Sequence, residues 1–147
     1  MRHTIARNWI LGGTVAVSAL SACGTAPYQV EELGSVRAWV IGAAEEGGEA
    51  LAEGTARWVS QDRCWVLEPI MNDTSIDPRT MWRAIVWPKG TKVVSENPPV
   101  LAVAEVSIGN GDKISGSGAG TDTVPSGLDI PVSCRPHGVV VVNTLNR

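Results

Sequence analysis

The chain has 147 residues and a formal net charge of −3. That length suits one domain with its own core rather than two. The acidic balance argues against nucleic acid as a partner and against electrostatic adhesion to anionic lipid.

The first segment is basic (Arg2, Arg7) and is followed by fourteen uncharged residues, Trp9 to Ala22. That order of charge, apolar core and small residues is the grammar of a secretory signal. A membrane span needs roughly 20 predominantly apolar residues. This run is shorter and is interrupted by Gly12, Gly13, Thr14, Ser18 and Ser21. It closes on Leu20-Ser21-Ala22-Cys23, with small Gly24 behind it. This resembles the lipobox of bacterial lipoproteins. The resemblance implies cleavage before Cys23, a diacylglycerol on its sulfur, and an extracytoplasmic protein held on the membrane. Each buried methylene adds about 0.8 kcal/mol, so two or three acyl chains anchor where one is marginal. The alternatives are a plain secreted protein cut near Ala19–Ala22 and a retained anchor in which Cys23 is incidental. Loss of residues 1–22 removes two of the twelve Lys+Arg and none of the fifteen acids, so the mature charge is −5. Attachment then rests on the acyl chains.

Residues 23–35 are expected to tether the lipid to a domain spanning 36–147. Val36 to Ile41 suits a strand or a short helix, since periodicity over six residues does not decide. Ala43 to Gly54, with Glu45, Glu46, Glu49 and Glu53 among glycines, is expected to be an exposed acidic loop. It lacks the alternating Asp/Asn ligands of a calcium loop.

From Thr55 the pattern becomes β-like. Thr55–Val59 and Cys64–Leu67 flank a hairpin loop, Ser60-Gln61-Asp62-Arg63. Pro69 to Pro78 is loop by composition. Trp82–Trp87 is a strand stopped by Pro88-Lys89-Gly90. Val100–Ile108 is another, ended by Gly109-Asn110-Gly111-Asp112, and Lys113–Ser117 pairs back. The stretch Gly116 to Gly127 is expected to be loop. Val139–Val142 is a last strand whose four β-branched residues suggest cover on both faces or an interface.

Short strands with turn signals about every ten residues predict an all-β fold, a small closed or partly open barrel. Arg63-Cys64-Trp65-Val66-Leu67, Val86-Trp87-Pro88-Lys89-Gly90-Thr91 and Gly109-Asn110-Gly111-Asp112-Lys113-Ile114-Ser115-Gly116 resemble segments of small actinobacterial lipoproteins and secreted domains. Those resemble OB-type barrels, and the similarity runs over roughly 54–144.

Cys64 and Cys134 are an even pair in a disulfide-permissive setting and are expected to form one bridge; the alternative is two buried thiols. Gly116-Ser117-Gly118-Ala119-Gly120 lacks the following helix and Lys-Ser/Thr of a phosphate loop. No pattern calls for a cofactor or a metal, and His137 is the sole histidine of the mature chain. It is the one candidate base for an envelope hydrolase, with Glu68 and Glu105 on or beside strands. Five tryptophans (Trp39, Trp58, Trp65, Trp82, Trp87) with Tyr28 and no Phe must supply the core's bulk, and any that are exposed would favour a sugar or protein contact. Alternation puts Trp82, Ala84 and Val86 on one face and Arg83, Ile85 and Trp87 on the other. Trp87, beside Pro88 and Lys89, is the expected exposed aromatic, so Trp87 and Lys89 are the candidate binding residues. The expected activity is binding an envelope protein or glycan; a small hydrolase or a structural spacer are the rivals.

Overall fold

The computed structural model describes residues 26–44 and 48–146. Cys23, the lipobox-like stretch Leu20-Ser21-Ala22 and residues 45–47 lie outside them. The described chain is all-β, with ten strands: β1 Tyr28–Leu33, β2 Val36–Ile41, β3 Ala50–Val59, β4 Cys64–Glu68, β5 Arg83–Trp87, β6 Lys92–Glu96, β7 Pro99–Val103, β8 Val106–Gly109, β9 Lys113–Thr121 and β10 Val139–Leu145. Two short 3-10 turns, Pro78–Met81 and Val132–Cys134, complete it.

Five strands close on themselves in the order β3-β4-β5-β10-β9 and back to β3. Counted along the chain, neighbours run 1-2-3-5-4-1, and the third and fifth strands pair in parallel. That is the connectivity of an OB-type Greek-key barrel. Between its third and fourth strands sits a separate sheet, β6-β7-β8. Ahead of the barrel, the β1–β2 hairpin lays β2 parallel to β5, with Trp39 opposite Val86 and Val40 opposite Trp87.

Alternation along the strands produces two cores. Ala52, Ala56, Trp65, Leu67, Ile85, Trp87, Ile114, Val140 and Val142 fill the barrel, joined by Val36, Ala38 and Val40 of β2 and by Leu101, Val103 and Ile108 of the small sheet. Cys64, Val66, Ala84, Val86, Val139 and Val141 face outward, where they meet Trp39, Ile41, Ile130 and Cys134. The four valines of β10 are therefore buried on both faces, as their β-branched run suggested. Residues 122–138 form the outer cover, and the Cys64–Cys134 disulfide fixes it to β4. The cover also binds itself: Arg135 Nε donates to the Ile130 carbonyl at 3.1 Å.

The hairpin turn of β1–β2 is tied to β6. Glu96 accepts the Ser35 backbone N–H and hydroxyl, both at 3.0 Å, which holds its carboxyl below the usual glutamate range. Lys92 pairs with Glu31 at 2.7 Å.

Several expectations are corrected. Tyr28–Leu33 is a strand and not tether; as an edge strand it exposes most side chains, so it carries no apolar periodicity. Ala50–Gly54 begins β3 rather than ending an acidic loop. Val100–Ile108 is a hairpin, β7 and β8, turned at Ala104, whose φ is +53°. Gly116–Thr121 is strand. A Cβ at Gly116 would meet the Thr144 carbonyl and one at Gly118 the Val141 carbonyl, so close approach of β10 selects glycine there.

The disulfide closes a separation of 70 residues, which the chain-entropy model values at about 4 kcal/mol. Urea unfolding of Cys64→Ser/Cys134→Ser should show a loss of that order, with the outer core exposed first.

Candidate functional site

Two openings break the barrel surface where polar and aromatic side chains converge. The larger is a groove of about 700 Å³ lined by Arg57, Trp58, Glu68, Arg79, Trp82 and Asn110, with Ser60-Gln61-Asp62 and Ser133 on its rim. Its floor is the outer side of β3 and β4. Arg57 Nη2 donates to Glu68 Oε1 at 3.2 Å, and the Trp82 indole N–H donates to Glu68 Oε2 at 3.0 Å. Both carboxylate oxygens are thus engaged, so Glu68 acts as a bracket that fixes the guanidinium and the indole. With its N–H satisfied inside the protein, Trp82 offers a ligand ring surface.

Trp58 lies on the inward-facing side of β3, packs against the inner core and reaches the groove at the end of the strand, where Asn110 Oδ1 accepts its backbone N–H at 2.9 Å. The Asn110-Gly111 turn is itself held on β3: Gly111 N–H donates to the Ala56 carbonyl at 2.7 Å. The Trp58 ring leans on Trp65, with centroids 5.5 Å apart. Trp58 and Trp82 are both half-buried.

The second opening, about 290 Å³, is the barrel mouth where β4 ends and β5 begins. Ala52, Leu67, Arg83, Gly118, Gly120 and Val140 line it, along with Leu51, Glu53, Pro69, Met81 and His137. His137 reaches it through a tight turn: its backbone N–H donates to the Trp82 carbonyl at 3.0 Å, and Gly138 follows with φ +98°. His137 and Glu53 thus line one cavity. No hydroxyl or thiol side chain lines it with them, and Cys64 and Cys134 are consumed by the disulfide. Among the described residues, no three His, Cys, Asp or Glu side chains group so as to hold a metal ion.

Trp87 and Lys89 are not brought together. Trp87 is 0% exposed and packs edge-on against Trp65, with centroids 5.9 Å apart and planes at 88°. Alternation separated the two faces of β5 correctly but could not tell inside from outside, because both are buried. Lys89 is exposed and lines a separate cleft of about 360 Å³ with Val103, Val106 and Asn143. The aromatics that do reach a groove, Trp58 and Trp82, lie beside two polar loops at opposite ends of β4, Ser60-Gln61-Asp62-Arg63 and Pro69–Pro78. An indole beside a polar turn was the signal available in the sequence.

No protein-family model, curated protein or solved structure matches this chain.

Truncating Trp87 to Ala should cost about 3–5 kcal/mol, the range for emptying a buried aromatic site. Lys89→Ala should stay within about 0.5 kcal/mol, as exposed substitutions do. Paired thermal melts check the contrast.

Proposed function

We propose that this protein is a lipid-anchored, extracytoplasmic binding module whose Trp58–Trp82 groove takes a segment of an envelope polysaccharide. The observation that carries the reading is the pair of half-buried indoles on one groove, with amide, hydroxyl, carboxylate and guanidinium groups around them. A sugar ring stacks its C–H face on an indole and exchanges hydrogen bonds with such neighbours.

The fold adds an analogy. OB barrels bind oligonucleotides or oligosaccharides on the face of their second and third strands, between the 1–2 and 4–5 loops. Here those parts are β4, β5, residues 60–63 and residues 122–138. The 4–5 connection is clamped over the β5 side of that face and contributes Ser133 to the groove. What stays open is the part that holds the tryptophans. The chain's net charge of −3 disfavours a polyphosphate ligand. An anchor on Cys23, with the acyl chains its lipobox implies, would keep the module among envelope glycans. Among the described residues no helix is long and apolar enough to cross a membrane.

Two experiments test the reading separately. Cys23→Ser should abolish incorporation of labelled fatty acid and release the protein from alkaline-washed membranes; retention there would refute the anchor. Pull-down on insoluble cell-wall glycan, with tryptophan fluorescence titration by soluble glycan fragments, should show binding. Trp58→Ala and Trp82→Ala should each weaken it about tenfold, near 1.4 kcal/mol. Unchanged binding by the folded double variant would remove the groove from consideration.

A further inference from the structure

The mouth of the barrel is unfilled because the inward-facing positions of two of its strands carry almost nothing. From β3 only Ala52 faces inward, with Leu51 and Glu53 at the rim, and β9 contributes Gly118 and Gly120, while the facing strands contribute Leu67, Arg83 and Val140. Interiors of small barrels are ordinarily packed by side chains. Here an opening of about 290 Å³ remains, near the lower end of the ~300–1,000 Å³ typical of small-molecule sites.

Arg83 stands in this opening on the inward-facing side of β5, followed at alternate positions by the core residues Ile85 and Trp87. It is half-buried. The ion pairs of the described residues engage Arg57, Arg63 and Lys92. The Arg83 guanidinium makes no ion pair or side-chain hydrogen bond among them. It lies over β9 at Gly120, where a Cβ would overlap Nη1. A partly desolvated guanidinium without a partner is unfavourable, and its planar fork matches a carboxylate or phosphate.

The remaining walls choose between those anions. Leu51, Leu67, Pro69, Met81 and Val140 have no hydrogen-bonding side-chain group, and Leu51 is 70% exposed at the rim. Such walls suit hydrocarbon and leave peptide amides unsatisfied. Glu53 also lines the cavity and opposes added negative charge, which penalises a dianion more than a monoanion. His137 supplies a second polar edge.

We propose that the barrel mouth binds a small aliphatic monocarboxylate, its carboxylate on Arg83 and its chain against Leu51, Leu67, Met81 and Val140. This is a site separate from the Trp58–Trp82 groove and does not depend on what that groove binds.

Calorimetric titration of the purified, oxidised full-length protein with octanoate tests it. Octanoate should bind, and 1-octanol and inorganic phosphate should each bind at least tenfold more weakly. Arg83→Gln should weaken octanoate at least tenfold, whereas Arg83→Lys, which keeps the charge without the fork, should lose less. Trp58→Ala should leave the affinity unchanged. Thermal melts establish that each variant is folded, and Gly120→Ala, which crowds the guanidinium from the other strand, gives an independent perturbation that should also weaken binding. Absence of octanoate binding at millimolar concentration, equal binding of octanol or phosphate, or full affinity in folded Arg83→Gln would each overturn the proposal.

Discussion

The molecule is organised around a strand that is buried on both faces. Val139–Val142 of β10 pairs in parallel with β5 on one side and antiparallel with β9 on the other. Val140 and Val142 enter the barrel, and Val139 and Val141 point out of it. Full burial of one such side chain is worth about 1.5–3 kcal/mol, but in a barrel of this size the outward half of that gain requires a second layer. Residues 122–138 form that layer with few large apolar residues, chiefly Val124, Leu128 and Ile130. So thin a cover has little burial of its own to set against the entropy of ordering seventeen residues. The Cys64–Cys134 link offsets that deficit by confining the unfolded chain. The β1–β2 hairpin extends the sheet alongside β5, placing Trp39 and Ile41 on the outer core and Val36, Ala38 and Val40 on the inner one. Arg37 closes its edge by lying 4.9 Å over the Trp39 ring.

Covering one face decides what is left for ligands. The outer surface of β5 is spent on the second core, so the groove is confined to the β3–β4 side and to the loops beside it. Inside, tight approach of β9 to β10 requires glycine at 116 and 118. The same smallness that lets the strands close leaves the mouth underfilled and admits Arg83. Both openings are consequences of how two cores are packed onto one five-stranded barrel.

Much of this was legible in the residues. Turn punctuation marked the β3–β4 hairpin and β5, and the β-branched run in β10 pointed to cover on both faces or to an interface, of which the structure has the first. The cysteine pair announced its own partner. What escaped had physical causes. β1 and β6 are edge strands whose side chains are mostly wet, so burial writes no period into them. The Gly-Ser-Gly-Ala-Gly stretch carries the composition of a loop, but its glycines are selected by backbone proximity, which composition does not encode. Trp87 was misplaced for a compositional reason. Without phenylalanine, tryptophan must act as plain core bulk. The indole N–H groups of Trp65 and Trp87 accordingly lie buried with no acceptor among the described residues. A buried donor left so costs about 1–3 kcal/mol, and ring packing against neighbours offsets it.

The two openings also show why adjacent residues here belong to different chemistry. Leu67 and Arg83 face the mouth, whereas their neighbours Glu68 and Trp82 face the groove. The period of two along an extended chain sends alternate side chains to opposite surfaces of the barrel wall. At β4's end and β5's start, that alternation divides an unpaired cation with hydrocarbon walls from a bracketed indole with polar walls. The connection between them serves both: Pro69 and Met81 line the mouth, and Pro78 and Arg79 line the groove. A one-residue slip in the β4–β5 register, set by Leu67 opposite Arg83, would exchange the two sets and drive Glu68 into the core. The burial of Leu67 and Ile85 therefore holds both openings in place, since neither survives if the apolar residues of these strands turn outward.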